Sequence, residues 1–530
     1  MKTKLFAILV LSAIIFPSLL NSQYLQQGPK LVGVGAAENS YQGTSVAISS
    51  DGNTAVIGGC QNNVMTGAVW VFTRSGGIWS QQGHKLVGTG AAGICYQGNS
   101  VAISSDGNTI VEGGYYDSGR VGAIWVFNRK GVAWIQQGNK MVGTGGAGLP
   151  MQGWSVAISA DGNTIIEGGP YDYNSKGAAW IFTRSDDIWT QQGNKLIGNG
   201  FADWHVLEGW SVAVSSDGNT AIIGGPGDDN STGAIWVFNR SGVTWTQQGA
   251  KVVGAGAVGK GWQGSSVAVS SDGNTFVEGA PQDRGGDGSG PGAIWIFGRS
   301  AGVWMQQGTK LVGTEAVGSA CQGSSVGITS DGNNVIEGGD WDKDYNGAVW
   351  IFNRIGGVWI QSGSKLIGDS TVGTSYQGYS AAISSDGSTL LEGGNHDNNC
   401  TGAAWVFYNP TIGITPISNQ VPNSFSLSQN YPNPFNPTTT IRIDVAPPLR
   451  TNGAHLPLSG GDVTAAAGTV GVKLKVYDIL GKEIITLVNQ QLQPGTYEVT
   501  FDGTNLPSGI YFYRLESGSF VETKKMLMVK

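Results

Sequence analysis

The sequence predicts an all-β protein: a seven-bladed β-propeller of four-stranded blades over residues 24–408, followed by a small C-terminal β-sandwich. Three observations predict it. A Ser/Ala-Asp-Gly phrase recurs with its aspartate at positions 51, 106, 161, 217, 272, 331 and 386, and a stable period of this length marks a solenoid, propeller or array. The third strand of each unit is apolar on both faces, so it needs cover on both sides, as a blade held between two other blades has. The last unit lacks a fourth strand, and a spare one stands ahead of the first unit.

The first unit shows the pattern. Residues 45–49 form a strand, and Asp51-Gly52-Asn53 turns the chain. Residues 54–57 form a second strand that ends in Gly58-Gly59. After a loop, residues 67–72 form the third, with Val69 and Val71 on one face and Trp70 and Phe72 on the other. Arg74 to Gly77 make another turn, and a fourth strand runs from Ile78 and Trp79 through Gln81, Gln82 and Gly83 to Lys85 and Val87. Short strands bounded by Gly and Asp turns are the signature of hairpins. A flat sandwich would show polar alternation on the third strand, and a solenoid would end in polar capping repeats.

Composition excludes other classes. The 86 glycines in 530 residues follow no period of three, which excludes collagen, and 18 tryptophans argue against disorder. The net charge is −7 with no basic stripe, so nucleic acid is not an expected partner. Residues 1–22 read as a secretory signal, with Lys2 and Lys4 ahead of an apolar stretch over 5–16 and small Ser22 near its end. No later stretch has 18 uninterrupted apolar residues, so no membrane span is expected in the mature chain.

The ends of the array favour a ring. Trp79, Trp134, Trp189, Trp245 and Trp304 each open a Trp-x-Gln-Gln-Gly-x-Lys phrase; unit six varies it from Trp359 to Lys365, and unit seven stops at Tyr408. The missing phrase stands at residues 26–32, with Gln26, Gln27, Gly28 and Lys30. The N-terminal strand is therefore expected to complete the last blade, which removes open sheet edges.

Phrase order resembles the FG-GAP class of propeller, known from integrin α-subunit heads. The matching residues are Gly43 to Ala47, Gly279-Ala280-Pro281, and Gly233 to Phe238. That family often carries an Asp-rich calcium loop between the first two strands. Here the stretch is only residues 271–275, too few oxygen ligands for Ca²⁺, so neither metal nor cofactor is expected.

Antiparallel winding places the Asp-Gly-Asn and Arg-Ser-Gly turns at one end and the variable loops at the other, where binding usually sits on a fixed scaffold. That variable face carries Tyr41, Tyr96, Tyr115, Tyr116, Tyr171, Trp204, Trp262, Trp341 and Tyr376. It also carries a register of Asn62, Asp117, Asp172, Asp228, Asp283, Asp342 and Asp397. Two readings are open for it: Asx-turns that fix each loop, or an acidic ring that binds cations or a basic partner. A second register, Glu112, Glu167, Glu278, Glu337 and Glu392, gives way to Ile57 and Ile223 in units one and four. A buried carboxylate is costly, so each is expected to reach a donor or the wet channel. Cys60, Cys95, Cys321 and Cys400 lie on the same face without a CxxC spacing, so disulfides rather than zinc are the expected use. Cys60–Cys95 with Cys321–Cys400, or Cys60–Cys400 alone, are the pairings that ring closure allows between neighbouring blades.

After a linker at 409–424, residues 425–530 alternate strands with Gly and Pro turns, as in a small β-sandwich. This segment resembles the type A C-terminal sorting domain of type IX secretion substrates. The resemblance rests on Asn430 to Thr438, on Val476-Tyr477-Asp478 with Leu480-Gly481, and on Lys524-Lys525-Met526. It implies passage through the periplasm and across the outer membrane to the cell surface or the medium, with the type IX machinery as partner. Residues 446–470, rich in Gly, Ala and Pro, read as a loop insertion.

No catalytic residue stands out, so the expected function is a secreted or cell-surface binding or adhesion protein. Its propeller would bind an extracellular protein or glycan through Asp117, Asp172, Asp228, Asp283, Asp342, Asp397, Trp204 and Trp341. The alternatives are an extracellular glycan-active hydrolase that uses the Glu register, and a passive surface component.

Overall fold

The computed structural model describes residues 24–75, 77–283, 290–409, 414–418, 421–447, 470–492, 494–503 and 506–529. The expected signal at 1–22 and most of the 446–470 insertion lie outside them. The repeats build seven four-stranded antiparallel sheets, consistent with a β-propeller. In the first sheet the strands are Gln42–Ile48, Thr54–Gly59, Ala68–Ser75 and Ile78–Gln81. The second strand is buried throughout, and the third through Phe72, because both faces meet other sheets.

The first strands of the seven sheets adjoin one another around a full circle, with Ser380–Ile383 of the seventh against Gln42–Ile48 of the first. Two circles of hydrogen bonds follow them. At the Asp-Gly end, the N–H of Ser50 donates to Ser105 O, and the hand-off continues through Ala160, Ser216, Ser271, Ser330 and Ser385 back to Ser50, at 3.0–3.1 Å. Toward the other end, the hydroxyls of Ser45, Ser100, Ser155, Ser211, Ser266, Ser325 and Ser380 each donate to a glycine carbonyl of the next sheet at 2.7–2.9 Å. The last of these reaches Gly43 O.

The seventh sheet takes its outer strand from the N-terminus. Leu25–Gln26 pairs with Ala403–Tyr408, and Leu31 exchanges two backbone bonds with Ala404 at 2.7 and 3.0 Å. The side chains continue the pattern. Trp134, Trp189 and Trp245 each donate an indole N–H to a glutamine of the preceding sheet, at 2.9 Å, and Trp79 does the same to Gln27. Gln26 Oε1 accepts from Asp369 N at 2.7 Å, as Gln81 accepts from Val34 N.

Seven fully buried tryptophans, Trp70, Trp125, Trp180, Trp236, Trp295, Trp350 and Trp405, fill the space between sheets. Each indole N–H donates to a backbone carbonyl in the crossover, as Trp125 does to Thr89 at 2.8 Å. The crossover passes so close that a Cβ at Gly88 would stand 2.2 Å from the Trp125 ring, which explains the glycine there.

The C-terminal part holds two four-stranded sheets. One contains Ile414–Ser418, Gly495–Asp502, Thr438–Val445 and Ser426–Leu427; the other contains Glu483–Leu492, Val470–Tyr477, Gly509–Ser517 and Phe520–Met528. They share one core, including Ile441, Ile443, Leu474, Phe501, Tyr513 and Met526. The segment 409–424 is thus not wholly linker: Ile414–Ser418 adds an edge strand, where Pro416 is tolerated because its missing N–H is not needed.

Deleting residues 24–33 exposes the edge of Ala403–Tyr408 and removes Gln27 from Trp79. The expected result in calorimetry is a melting temperature lower by about 10 °C or more, with self-association through the open edge in size-exclusion chromatography. An unchanged melting curve would contradict closure by this strand.

Candidate functional site at the channel mouth

The aspartate register lies at the start of a tight turn after each second strand. In Asp117–Arg120 the residues Ser118 and Gly119 take left-handed backbone at φ 54° and 71°. The aspartate does not cap its own turn. Its Oδ1 instead accepts the N–H of Ala92, 25 residues earlier, at 2.7 Å. Its Oδ2 meets the lysine that ends the fourth-strand phrase. The pairs are Lys140–Asp117, Lys195–Asp172, Lys251–Asp228, Lys310–Asp283 and Lys365–Asp342. In the seventh sheet Lys30 of the N-terminal segment pairs with Asp397 at 2.5 Å. Every one of these carboxylates is buried, with side-chain exposure of 1% or less. Asp117, Asp172, Asp228, Asp283, Asp342 and Asp397 are therefore inward clamps, not the open acidic ring or the Asx-turns expected from sequence. In the first sheet Asn62 takes the same place, 3.5 Å from Lys85.

The glutamate register is corrected too. Glu112, Glu167, Glu278, Glu337 and Glu392 have no exposed surface. Glu112 pairs across the sheet with the core residue Trp125. Neither oxygen of Glu112, Glu167, Glu337 or Glu392 has a hydrogen-bond partner, whereas Glu278 Oε2 accepts from Gly264 N at 2.8 Å. Burial pushes Glu112 up to about 8, with the nearby Gly88 N–H only partly offsetting it, and raises the other four well above the ordinary range. The fourth sheet moves its acid. Ile223 replaces the register residue, and Glu208 stands where the other sheets have glutamine, accepting Gly198 N at 2.8 and 2.9 Å. Burial raises Glu208 to about 8 as well. A neutral acid in these places avoids the cost of a buried charge.

Among the described residues no disulfide joins Cys60, Cys95, Cys321 or Cys400 to another of the four, so the expected pairings are not formed. Cys60 faces Thr44 Oγ1 at 3.5 Å, Cys95 turns toward Gly93 O at 3.1 Å, and Cys400 meets His396 Nδ1 at 3.5 Å. Burial pushes Cys60 and Cys95 up to about 11. His205 is exposed, and among the described residues no group of His, Cys, Asp or Glu is placed to hold a metal ion.

What remains open on the variable face is the mouth of the central channel, about 240 Å³, lined by three successive positions of every first strand. The deepest is Val in six sheets and Ala381 in the seventh, an apolar band. The middle one is the serine circle, whose hydroxyls are already spent between sheets. The outermost position varies most: Thr44, Asn99, Trp154, Trp210, Ser265, Ser324 and Tyr379. Sequence reading missed Trp154, Trp210 and Tyr379; the signal was the single variable residue in an otherwise constant Gly-x-Ser phrase.

Aromatic rings spread from this mouth in two arcs. Trp154 and Trp210 lie 4.8 Å apart, with Tyr115 at 4.9 Å and Tyr171 at 5.9 Å from Trp154, and Trp262 at 6.4 Å from Trp210. Across the mouth Trp341, Tyr345, Tyr376, His396 and Tyr41 form the second, with Tyr376 stacked on His396 at 4.2 Å. Trp341 thus joins an arc, while Trp204, 76% exposed, stands apart near Lys176. Asp340, 6% exposed, lies beside Ser324, and burial raises it to about 6.

Residues 429–530 match the family model for a secretion system C-terminal sorting domain. This tail is a secretion sorting domain. It implies export by the type IX system to the cell surface or the medium. No curated protein matches the chain. Among solved structures it is similar to the periplasmic gluconolactonase PpgL of Pseudomonas aeruginosa, at 15% identity and TM-score 0.39, over 62% of this chain and 86% of that one. It is also similar to the β-propeller domain of the Trilobed protease from Pyrococcus furiosus, at 10% identity and TM-score 0.35, over 69% and 94%. A third is apo prolyl oligopeptidase B from Galerina marginata, at 10% and 0.40, over 76% and 55%. Among the described residues no helix is long and apolar enough to cross a membrane.

Two outcomes test the buried charges. Lys140→Met strands the buried Asp117 without its counter-charge and is expected to cost about 3–5 kcal/mol in denaturant unfolding. Asp117→Asn, which copies the first sheet, is expected to cost less. The acids give a pH signature. Below the ordinary glutamate range both states hold the proton; from there to about pH 8 only the folded state holds Glu112 protonated. Stability from this group therefore falls as pH rises through that window and levels off above it. Glu112→Gln is expected to gain on the order of 1–3 kcal/mol over the parent between pH 5 and pH 8. A difference that does not change with pH would contradict a protonated Glu112.

Proposed function

We propose that this chain is an exported binding protein: a seven-bladed propeller of the FG-GAP type, delivered by its C-terminal β-sandwich, that takes an extracellular protein or glycan at its channel mouth and surrounding loops. The observation that carries this reading is the contrast within the mouth. Two of its three positions are nearly constant through seven repeats, while the third varies freely and opens toward exposed aromatics. Variation confined to one end of a rigid scaffold is how binding surfaces are built, and aromatic rings that are half exposed supply contact area at low entropic cost. The sorting tail supports an extracellular place of work. The five register glutamates on which the hydrolase alternative rests are fully buried, which supports binding over turnover.

The test is a binding panel of extracellular-matrix proteins and glycans against the purified mature chain. Saturable binding is expected, and Trp341→Ala or Trp154→Ala is expected to weaken it about tenfold while leaving the melting temperature within a few degrees. Turnover of a glycan would replace this reading with the hydrolase, and silence across the panel would leave a passive surface component.

A further inference from the structure

The channel mouth combines three properties that together select a chemical class, given the binding role proposed above. First, it has one apolar side. Trp154 and Trp210 line it on neighbouring sheets, in contact at 4.8 Å, and Tyr115 extends the surface at 4.9 Å. Second, the rest of the rim is polar, with Asn99, Ser324 and the hydroxyl-bearing Tyr379 among its lining. Third, no lysine or arginine lines the mouth, and the carboxyl of Asp340 lies beside Ser324 of its lining and takes part in none of the described ion pairs.

We propose that the mouth is a carbohydrate site that takes the end of a neutral glycan, with the C–H face of one sugar ring on Trp154 and Trp210 and its hydroxyls turned to Asn99, Ser324 and Tyr379. A sugar ring has one apolar face and a polar edge, which matches the division of this rim. The shape sets the number of units. At about 240 Å³ the mouth is smaller than the roughly 300–1,000 Å³ that encloses a drug-sized ligand, and the serine circle and the valines line it below. One terminal ring enters, and the rest of the chain leads out over the aromatic loops. Charge sets the sign. An acidic glycan would bring carboxylates to a rim without a cation and with Asp340 close by, an unpaired like-charge contact that selects against it. A quaternary ammonium ion needs rings that surround it; here Trp154 and Trp210 contact each other at 4.8 Å, tilted by 47°, and present a surface instead.

The test is calorimetric titration of the purified mature chain with neutral hexose and pentose oligosaccharides of two to six units, uronic-acid oligosaccharides, and tetramethylammonium. At least one neutral oligosaccharide is expected to bind saturably. Trp154→Ala and Trp210→Ala are each expected to weaken it at least about tenfold, Trp154→Phe to retain most of it, and Trp204→Ala to leave it unchanged. Equal melting temperatures for Trp154→Phe and the parent guard against a folding defect. Preference for uronic-acid chains or tetramethylammonium, insensitivity to the two tryptophans, or no sugar binding at all would overturn the proposal. If a protein ligand binds and Trp341→Ala abolishes it while no sugar binds, this inference falls and the binding role stands. Silence toward both classes removes both.

Discussion

Each of the seven sheets is apolar on both faces, so none is stable without a neighbour on either side. That constraint organises the molecule. Seven buried tryptophans fill the gaps, and the chain must close on itself because an end sheet would expose a face and an edge. Closure falls to the N-terminal segment, which supplies not only a strand but the side chains every other sheet hands on. Gln27 receives the Trp79 indole, Gln26 receives the Asp369 amide, and Lys30 neutralises Asp397. The two hydrogen-bonded circles then pass through the joint between the first and seventh sheets without a gap.

Polar groups inside this scaffold serve position. An ion pair taken out of water adds little net stability, yet it is expensive to break. Each Asp–Lys clamp therefore holds a variable loop to the end of its own fourth strand and fixes where the loop starts. The buried glutamates follow a different logic. They stand beside a glutamine that bonds the crossover glycine, and in the fourth sheet a glutamic acid takes over the glutamine's place while isoleucine takes the acid's. The exchange keeps the volume filled and leaves a single neutral acid in that sheet.

With clamps, circles and acids spent on the scaffold, little chemistry is left free. The variable outer position of each first strand is the exception. It sits at the channel mouth, where the loops carry partly exposed rings, and the sorting tail implies that this mouth works outside the cell.

Much of the strand pattern was legible in residue order. Turn glycines, alternation and the repeated Trp-x-Gln-Gln-Gly-x-Lys phrase act over a few residues, and a displaced copy of that phrase before Tyr41 points to where the ring joins. The all-β class and the sorting tail were readable for the same reason: both are written in local chemistry. Partnership was not. Asp117 meets Lys140 across 23 residues, and nothing in the spacing says that the two are buried together; an aspartate recurring in variable loops reads equally well as a ligand. Glu112 reads as an acid in need of a donor, because only packing reveals that no water reaches it. Trp154 and Trp210 read as strand residues, because only the curvature of the ring turns their position into the rim of a mouth. Local pattern determines which segments become strands and where they turn; burial, and with it the fate of every charged or aromatic side chain, depends on which distant surfaces the closed ring brings together.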